Sequence, residues 1–422
     1  MVVRALSLAA VVILLVGCAS TTRSVPRRRS AGAPTTVMAA VPRAGPSAPS
    51  ADAATLTDGN ALFAGRLLAL VAGTHPTLAL SPFSISEALS MTYAGARGST
   101  GEQIATALDF RLPLPRVVAA FNAQTQSLAQ ANTPGATLEI ANALFGQSGQ
   151  SFRQPFLAIL ARDYGAGVQT VDFGNPAAVA QINGWVSEHT AGNIPHLLTP
   201  GDLDPLTKLA LVDAVYLDAK WLLPFQRQDT HPDIFHAPGG AIQVPTMHQN
   251  GTFAYRSADG YQALELPYQG GRLAFDILLA SQGHLRPLLA RIAATGPLRL
   301  LDGLVPHYVA VAVPKFQLRT LFDLNGPLAS MGMPLAFEPG RADLSGIAGP
   351  PGYLYIQHVI HEAYIDVDEA GTKAAAATAV VIGTSAVEAP PRIQFIVDRP
   401  FVFVLRDTRT SAILFTGVAS RP

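Results

Sequence analysis

The sequence predicts an α+β domain in which helices come first and strands later. Three observations carry this. Apolar residues recur at helical spacing through the first half, branched apolar runs dominate from Lys208 onward, and no internal linker divides the main body. Helices are predicted at 59–71, 84–93, 101–108, 116–129, 152–161 and 176–189, with short strands at 138–145 and 168–171 between them. Ser81 and Pro82 suit the start of the second helix, as cap and first-turn proline. Further strands are predicted at 209–217, 273–279, 308–314, 359–367, 393–396, 401–405 and 412–418, whose unbroken apolar runs suit large buried sheets.

The N-terminal region reads differently. Arg4 precedes an apolar core from Ala5 to Val16 that is too short to span a membrane as a stable helix, so residues 1–18 read as an export signal. Leu15, Val16, Gly17 and Cys18 resemble the bacterial lipobox, which implies cleavage before Cys18 and lipid attachment to it. Cys18 is the sole cysteine, so no disulfide framework exists. Residues 19–55 are rich in Ala, Ser, Pro and Arg and are expected to form a disordered tether, leaving 56–422 as one domain. Ala19 and Ser20 lack the Asp that cues inner-membrane retention, so an exported, envelope-anchored chain facing outside the cytoplasm is expected, with the lipid as its only membrane contact. The charged fraction is 14% against roughly 25% in ordinary globular proteins, and the formal net charge is +0. Nucleic acid is therefore excluded as a partner.

The most informative stretch is 369–391. After Glu369, Ala370, Gly371 and Thr372 come Lys373 and the run Ala374, Ala375, Ala376, Ala377 and Thr378; further on stand Thr384, Ser385, Ala386 and Val387, then two prolines. A surface helix is the plain alternative, but 373–381 has no polar face to offer water. In an extended chain Thr372, Ala374, Ala376, Thr378, Val380 and Ile382 share one face of small, then branched, uncharged groups. Such a face can enter a sheet without burying a charge. Alanine is a poor strand former, so this strand needs a template of unpaired backbone groups.

This stretch resembles the hinge and reactive-centre loop of the serpins. Other segments agree in order and spacing: Leu80 to Ile85, Asn142 to Phe145, Ile182 to Ile194, Tyr216 to Phe225, Pro314 to Phe316, Asp343 to Gly346, and Pro400 to Phe415. The resemblance implies a serpin fold and a suicide-substrate inhibitor, which traps a target serine protease as a covalent acyl complex while 372–382 inserts as a strand. Counting from the hinge places the reactive bond between Ser385 and Ala386, with Thr384 or Val387 as neighbours that could take the role. None of these is basic, so proteases with small or apolar pockets, elastase-like or subtilisin-like, are expected. Ala370 and Lys373 depart from the family pattern at positions that need not be buried. Alternatives are a non-inhibitory serpin, or a surface binding lipoprotein whose loop is merely cleaved.

The resemblance also implies a polar cluster that governs sheet opening, made here of Ser81, Ser84 and His361, with Asp213 where the family has asparagine, and Trp221 at the loop's entry. Where the two residues meet, an Asp beside a buried His would favour the imidazolium and make opening depend on pH; a lone structural Asp on a strand is the alternative. No catalytic constellation is found: there is no G-x-S-x-G, and His361-Glu362 lacks a second histidine at Ile365. His358 and His361 lie three apart, on opposite faces of a strand, and make a poor metal pair. No metal or cofactor is expected, and the chain is expected to act as a monomer.

Overall fold

The computed structural model describes residues 33–281, 285–372 and 393–422. The first half contains β1 (Thr35–Val37), α1 (Ser50–Ala72), β2 (Leu78–Leu80), α2 (Pro82–Gly95), α3 (Gly98–Ala107), α4 (Leu114–Ala129), β3 (Ala136–Gln147), α5 (Gln154–Ile159), β4 (Val168–Val171) and α6 (Ala178–His189). Strands dominate thereafter: β5 (Leu209–Lys220), β6 (Thr230–Ala237), β7 (Gly240–Ala258), β8 (Tyr261–Pro267) and β9 (Leu273–Ala280). Next come α7 (Leu285–Thr295), β10 (Val305–Pro314), β11 (Phe316–Asp323), α8 (Asn325–Ser330), β12 (His358–Val367), β13 (Gly371–Thr372), β14 (Ile393–Ile396), β15 (Phe401–Asp407) and β16 (Ile413–Ala419). Helices first and strands later is the predicted α+β order.

Two sheets result. One has seven strands in the order β1-β4-β3-β5-β13-β12-β11, and the other runs β14-β10-β7-β8-β9-β15-β16-β2, with β6 added to β7. Every residue of β9 is buried, as its unbroken apolar run predicts. Aromatic rings join the sheets: Phe316 of the first meets Phe275, Phe401 and Phe403 of the second at centroid separations of 6.3, 5.7 and 5.7 Å. Each such ring buries a large apolar area, so this seam fixes the two sheets together. Among the described residues no helix is long and apolar enough to cross a membrane.

The tether expectation needs correction where the structure describes it. Thr35–Val37 pairs antiparallel with β4 and becomes the edge of the seven-stranded sheet. Behind it, the buried Asn122 amide donates to the Ala44 and Gly45 carbonyls at 3.0 and 3.2 Å, and its oxygen accepts from Arg43 Nε at 3.0 Å. Helix α1 then begins at Ser50. The segment is poor in large apolar groups, but main-chain pairing and a buried amide order it, and composition does not reveal such partners. Residues 19–32, with Cys18, lie outside the described residues.

The β6–β7 hairpin, β8 and β11 were not predicted. The hairpin carries Pro232, Asp233, Pro245 and Gly251 among polar residues, and its backbone pairing overrides weak local propensity. Ser81 does take the cap position of α2, but its hydroxyl caps nothing.

Candidate functional site

The site is a partly opened seam in the seven-stranded sheet. Strands β5 and β12 run parallel and pair directly over six positions, from His358 opposite Ala210 to Ala363 opposite Val215. Beyond that point they part, and the two residues of β13 stand between them: Gly371 opposite Lys220, and Thr372 opposite both Ala219 and Val367. The chain thus already enters the seam at the position where the predicted insertable face begins.

A tight turn directs it there. Asp368 accepts the backbone N–H groups of Ala370 and Gly371 at 2.8 and 3.1 Å, while its own N–H donates to the Gly371 carbonyl at 2.9 Å. Burial raises the Asp368 carboxyl above its ordinary value against these bonds. Glu369 meets Lys315 Nζ at 2.8 Å. Burial opposes its charge, yet the hydrogen bond to Lys315 and further bonds prevail and hold its carboxyl below the usual value. Gly371 is required by space: a Cβ there would lie 2.0 Å from the Ala219 carbonyl oxygen. The buried Thr372 hydroxyl bonds the Tyr268 hydroxyl.

Trp221 lies at this entry, as expected. Its ring is 1% exposed and stacks on Tyr268 with centroids 4.5 Å apart. Its Nε1–H donates to the Asp368 carbonyl at 2.8 Å, and its backbone N–H to Ala370 at 3.0 Å. One aromatic residue therefore secures both the hinge turn and the second sheet.

The predicted opening cluster sits lower in the same seam, and the structure brings its members together. His361 of β12 faces Asp213 of β5 in register, and His361 Nδ1 bonds Asp213 Oδ1, so a side-chain bond spans the two strands of the seam. His361 Nε2 accepts the backbone N–H of Ser81 at 3.1 Å. An acceptor at Nε2 leaves the ring proton on Nδ1, so the geometry fits a neutral imidazole donating to Asp213. In an imidazolium, Nε2–H would point at the Ser81 N–H. Ser84 Oγ donates to Asn142 Oδ1 at 2.5 Å, whereas Ser81 Oγ finds no partner among the described residues.

Two members were missed by sequence reasoning. Asn142 lies opposite Asp213 on β3, and its amide donates to the buried Glu87 at 2.8 Å. Burial raises the Glu87 carboxyl, against bonds from Thr125 and Asn142. Glu87 stands at the Ser84+3 position of α2, so a polar residue inside an apolar helix face was the available signal. The cluster is no nucleophile–base pair, because His361 Nε2 is already taken by a main-chain donor.

His358 and His361 fall on opposite faces, as predicted; His358 Nδ1 lies 3.7 Å from Asp323 Oδ2. A different triad, His231, Asp233 and His248, does converge on the β6–β7 hairpin, with one potential ligand atom from each within 4.8 Å of the others. The sequence reading did not single these out. Lys373, Ala374 to Thr378 and the reactive-bond residues Thr384 to Val387 lie outside the described residues.

A family model described as serpin (serine protease inhibitor) matches residues 58–422. An uncharacterized serpin-like protein of Thermococcus kodakarensis is 39% identical over 356 residues, covering 83% of this chain and 82% of its own. Leukocyte elastase inhibitor of Equus caballus is 36% identical over 384 residues, covering 87% and 99%. The crystal structure of a serpin from the insect Tenebrio molitor superposes with a TM-score of 0.77 at 32% identity, covering 87% and 98%.

Proposed function

We propose that this chain, which belongs to the serpin family, is a suicide-substrate inhibitor of serine proteases with small or apolar specificity pockets. The observation that carries the reading is the wedge of β13: the seam between β5 and β12 is entered by the residues that lead into the small, uncharged face of 372–382. Family members are in general protease inhibitors rather than enzymes. The elastase named for one relative agrees with a reactive segment that lacks a basic residue from Val380 to Ala389.

The proposed chemistry is an interrupted hydrolysis. The protease serine oxygen attacks the Ser385 carbonyl carbon, the Ser385–Ala386 amide bond breaks, and the Ala386 amine leaves with a proton. The ester that remains joins the Ser385 acyl group to the protease. Freed at one end, 372–382 slides into the seam and carries the protease with it. Distortion of the oxyanion site then stops water from completing deacylation.

Insertion breaks the six-pair ladder of β5 and β12 and builds one ladder on each side of the new strand. A net gain of roughly ten or more hydrogen bonds, at ~0.5–1.5 kcal/mol each, yields on the order of 10 kcal/mol. The native fold on this reading is metastable and kept by a barrier.

We further propose export and lipid anchoring through Cys18, with the inhibitor acting as a monomer outside the cytoplasm. Replacement of Cys18 by serine is expected to release the protein from membranes. The functional test mixes residues 33–422 with an elastase-like and a subtilisin-like protease. A complex that survives denaturing gels, with a released peptide beginning at Ala386, supports the reading. Clean cleavage without a complex overturns it.

A further inference from the structure

We propose that His231, Asp233 and His248 form a binding site for a divalent transition-metal cation of the zinc class, on the face of the sheet that carries β14. Asp233 is already addressed by both rings: His231 Nδ1 lies 3.1 Å from Oδ1, and His248 Nε2 lies 2.8 Å from Oδ2. The two imidazoles stack with centroids 4.2 Å apart and planes within 18°. A tetrahedral ion bound at about 2.0–2.2 Å holds its ligand atoms roughly 3.3–3.5 Å apart. The stacked rings send their in-plane nitrogen lone pairs along parallel lines, so one imidazole has to swing out of the stack before both nitrogens and the carboxylate meet one ion.

The backbone supplies the preorganisation. His231 and Asp233 are two apart on β6 and share a face, and Thr246 lies opposite His231, so His248 two residues on joins them. Eight register pairs hold the hairpin, and no loop has to be ordered before an ion binds. Two imidazoles and one carboxylate select borderline ions over magnesium or calcium, which prefer oxygen ligands.

Room for further ligands exists. Ala312 lies opposite His248 and beside Ile396, while Asn250, Ala310 and Gln394 form the next row. The alanines contribute only methyl groups, leaving a hollow that these residues line together with His231, Asp233, His248 and Asp229. Three protein ligands facing such a hollow leave positions for water or for a donor from a partner. The hollow is shared with β14, which begins directly after the segment that carries the proposed reactive bond. The ion would therefore sit on the sheet that receives the distal side of that segment.

The test is direct and independent of inhibition. Untagged protein is titrated with Co2+ and followed by visible absorption, and with Zn2+ followed by calorimetry, beside the His231→Ala/His248→Ala double variant. One equivalent of Zn2+ is expected to bind, with Co2+ bands of four- or five-coordinate type, a rise in Tm on zinc addition, and at least a hundredfold weaker binding in the variant. Circular dichroism of the variant checks its fold, and Asp233→Asn provides a second, milder loss. Absence of binding at millimolar Zn2+, unchanged affinity in a folded double variant, or equal affinity for Mg2+ overturns the proposal.

Discussion

Gly371→Ala tests the seam most directly. The added Cβ would lie 2.0 Å from the Ala219 carbonyl oxygen, 2.8 Å from Lys220 Cα and 2.9 Å from the Ala219 carbonyl carbon. All three are backbone atoms, and Ala219 is pinned on its other side by Ala136 of β3. Non-bonded carbons prefer about 3.5–4.0 Å, so β5 cannot yield without breaking the sheet and β13 must leave instead. Its departure forfeits the pairings of Gly371 with Lys220 and of Thr372 with Ala219 and Val367, and the bond from Thr372 to Tyr268. Roughly four hydrogen bonds at ~0.5–1.5 kcal/mol each amount to about 2–6 kcal/mol. If half of that is felt while the loop inserts, insertion slows by about fivefold to roughly 150-fold, whereas attack on the reactive bond is unaffected. The acyl-enzyme then deacylates first. The assay counts covalent complex per loop cleaved, by densitometry of denaturing gels, with a thermal melt to confirm folding. The variant is expected to be cleaved at the ordinary rate and to yield complex in only a small minority of events. An undiminished complex yield would refute the claim that entry beside Ala219 initiates trapping.

Asp213→Ala is expected to leave the buried His361 Nδ1–H without an acceptor, at a cost of about 1–3 kcal/mol, and so lower the unfolding midpoint. Asp213→Asn retains an acceptor oxygen and should cost much less, whereas comparable losses in both would indicate an imidazolium. Asp276 is buried beside Arg406, 2.7 Å away, and burial raises its carboxyl to about 7 in spite of that cation. Because the unfolded chain ionises first, this carboxyl's contribution is greatest below its unfolded value near ~4 and declines as pH rises toward about 7. The limiting slope is about 1.4 kcal/mol per pH unit; Asp276→Asn should flatten urea midpoints across this window. A chain starting at residue 50 loses both carbonyls that accept from the Asn122 amide. Leaving that buried amide unpaired costs about 1–3 kcal/mol, so its melting midpoint should fall below that of residues 33–422.

What the sequence made legible follows from periodicity. The apolar runs of β5, β9, β12 and β15 have two buried faces and announce themselves, and Thr372, where the expected small even-numbered face begins, stands in the seam. Resemblance to the serpins then located His361, Asp213 and Trp221 before their contacts were known. Other features depend on partners far along the chain. The Asn122 amide gives no hint that it orders Ala44 and Gly45, and His231 meets His248 only through the register of a hairpin with weak strand propensity. The neighbour of His361 Nε2 is hidden for a related reason: it is the backbone N–H of Ser81, which no side-chain pattern reveals.

The position of β13 at one end of a parallel ladder gives seam opening a direction. The rung nearest the wedge, Ala363 with Val215, is the first that an advancing strand can displace, and each later rung becomes accessible only after its predecessor is lost. On the inhibitory reading, separation would proceed as a zipper, with energy delivered step by step. At a rise of about 3.3 Å per residue and a gain of roughly 1 kcal/mol per step, the moving chain can pull with a force of about 20 pN. On the inhibitory reading, a protease attached to that chain is under load from the first residue inserted, so the race against deacylation is decided by how far the chain has travelled when water arrives.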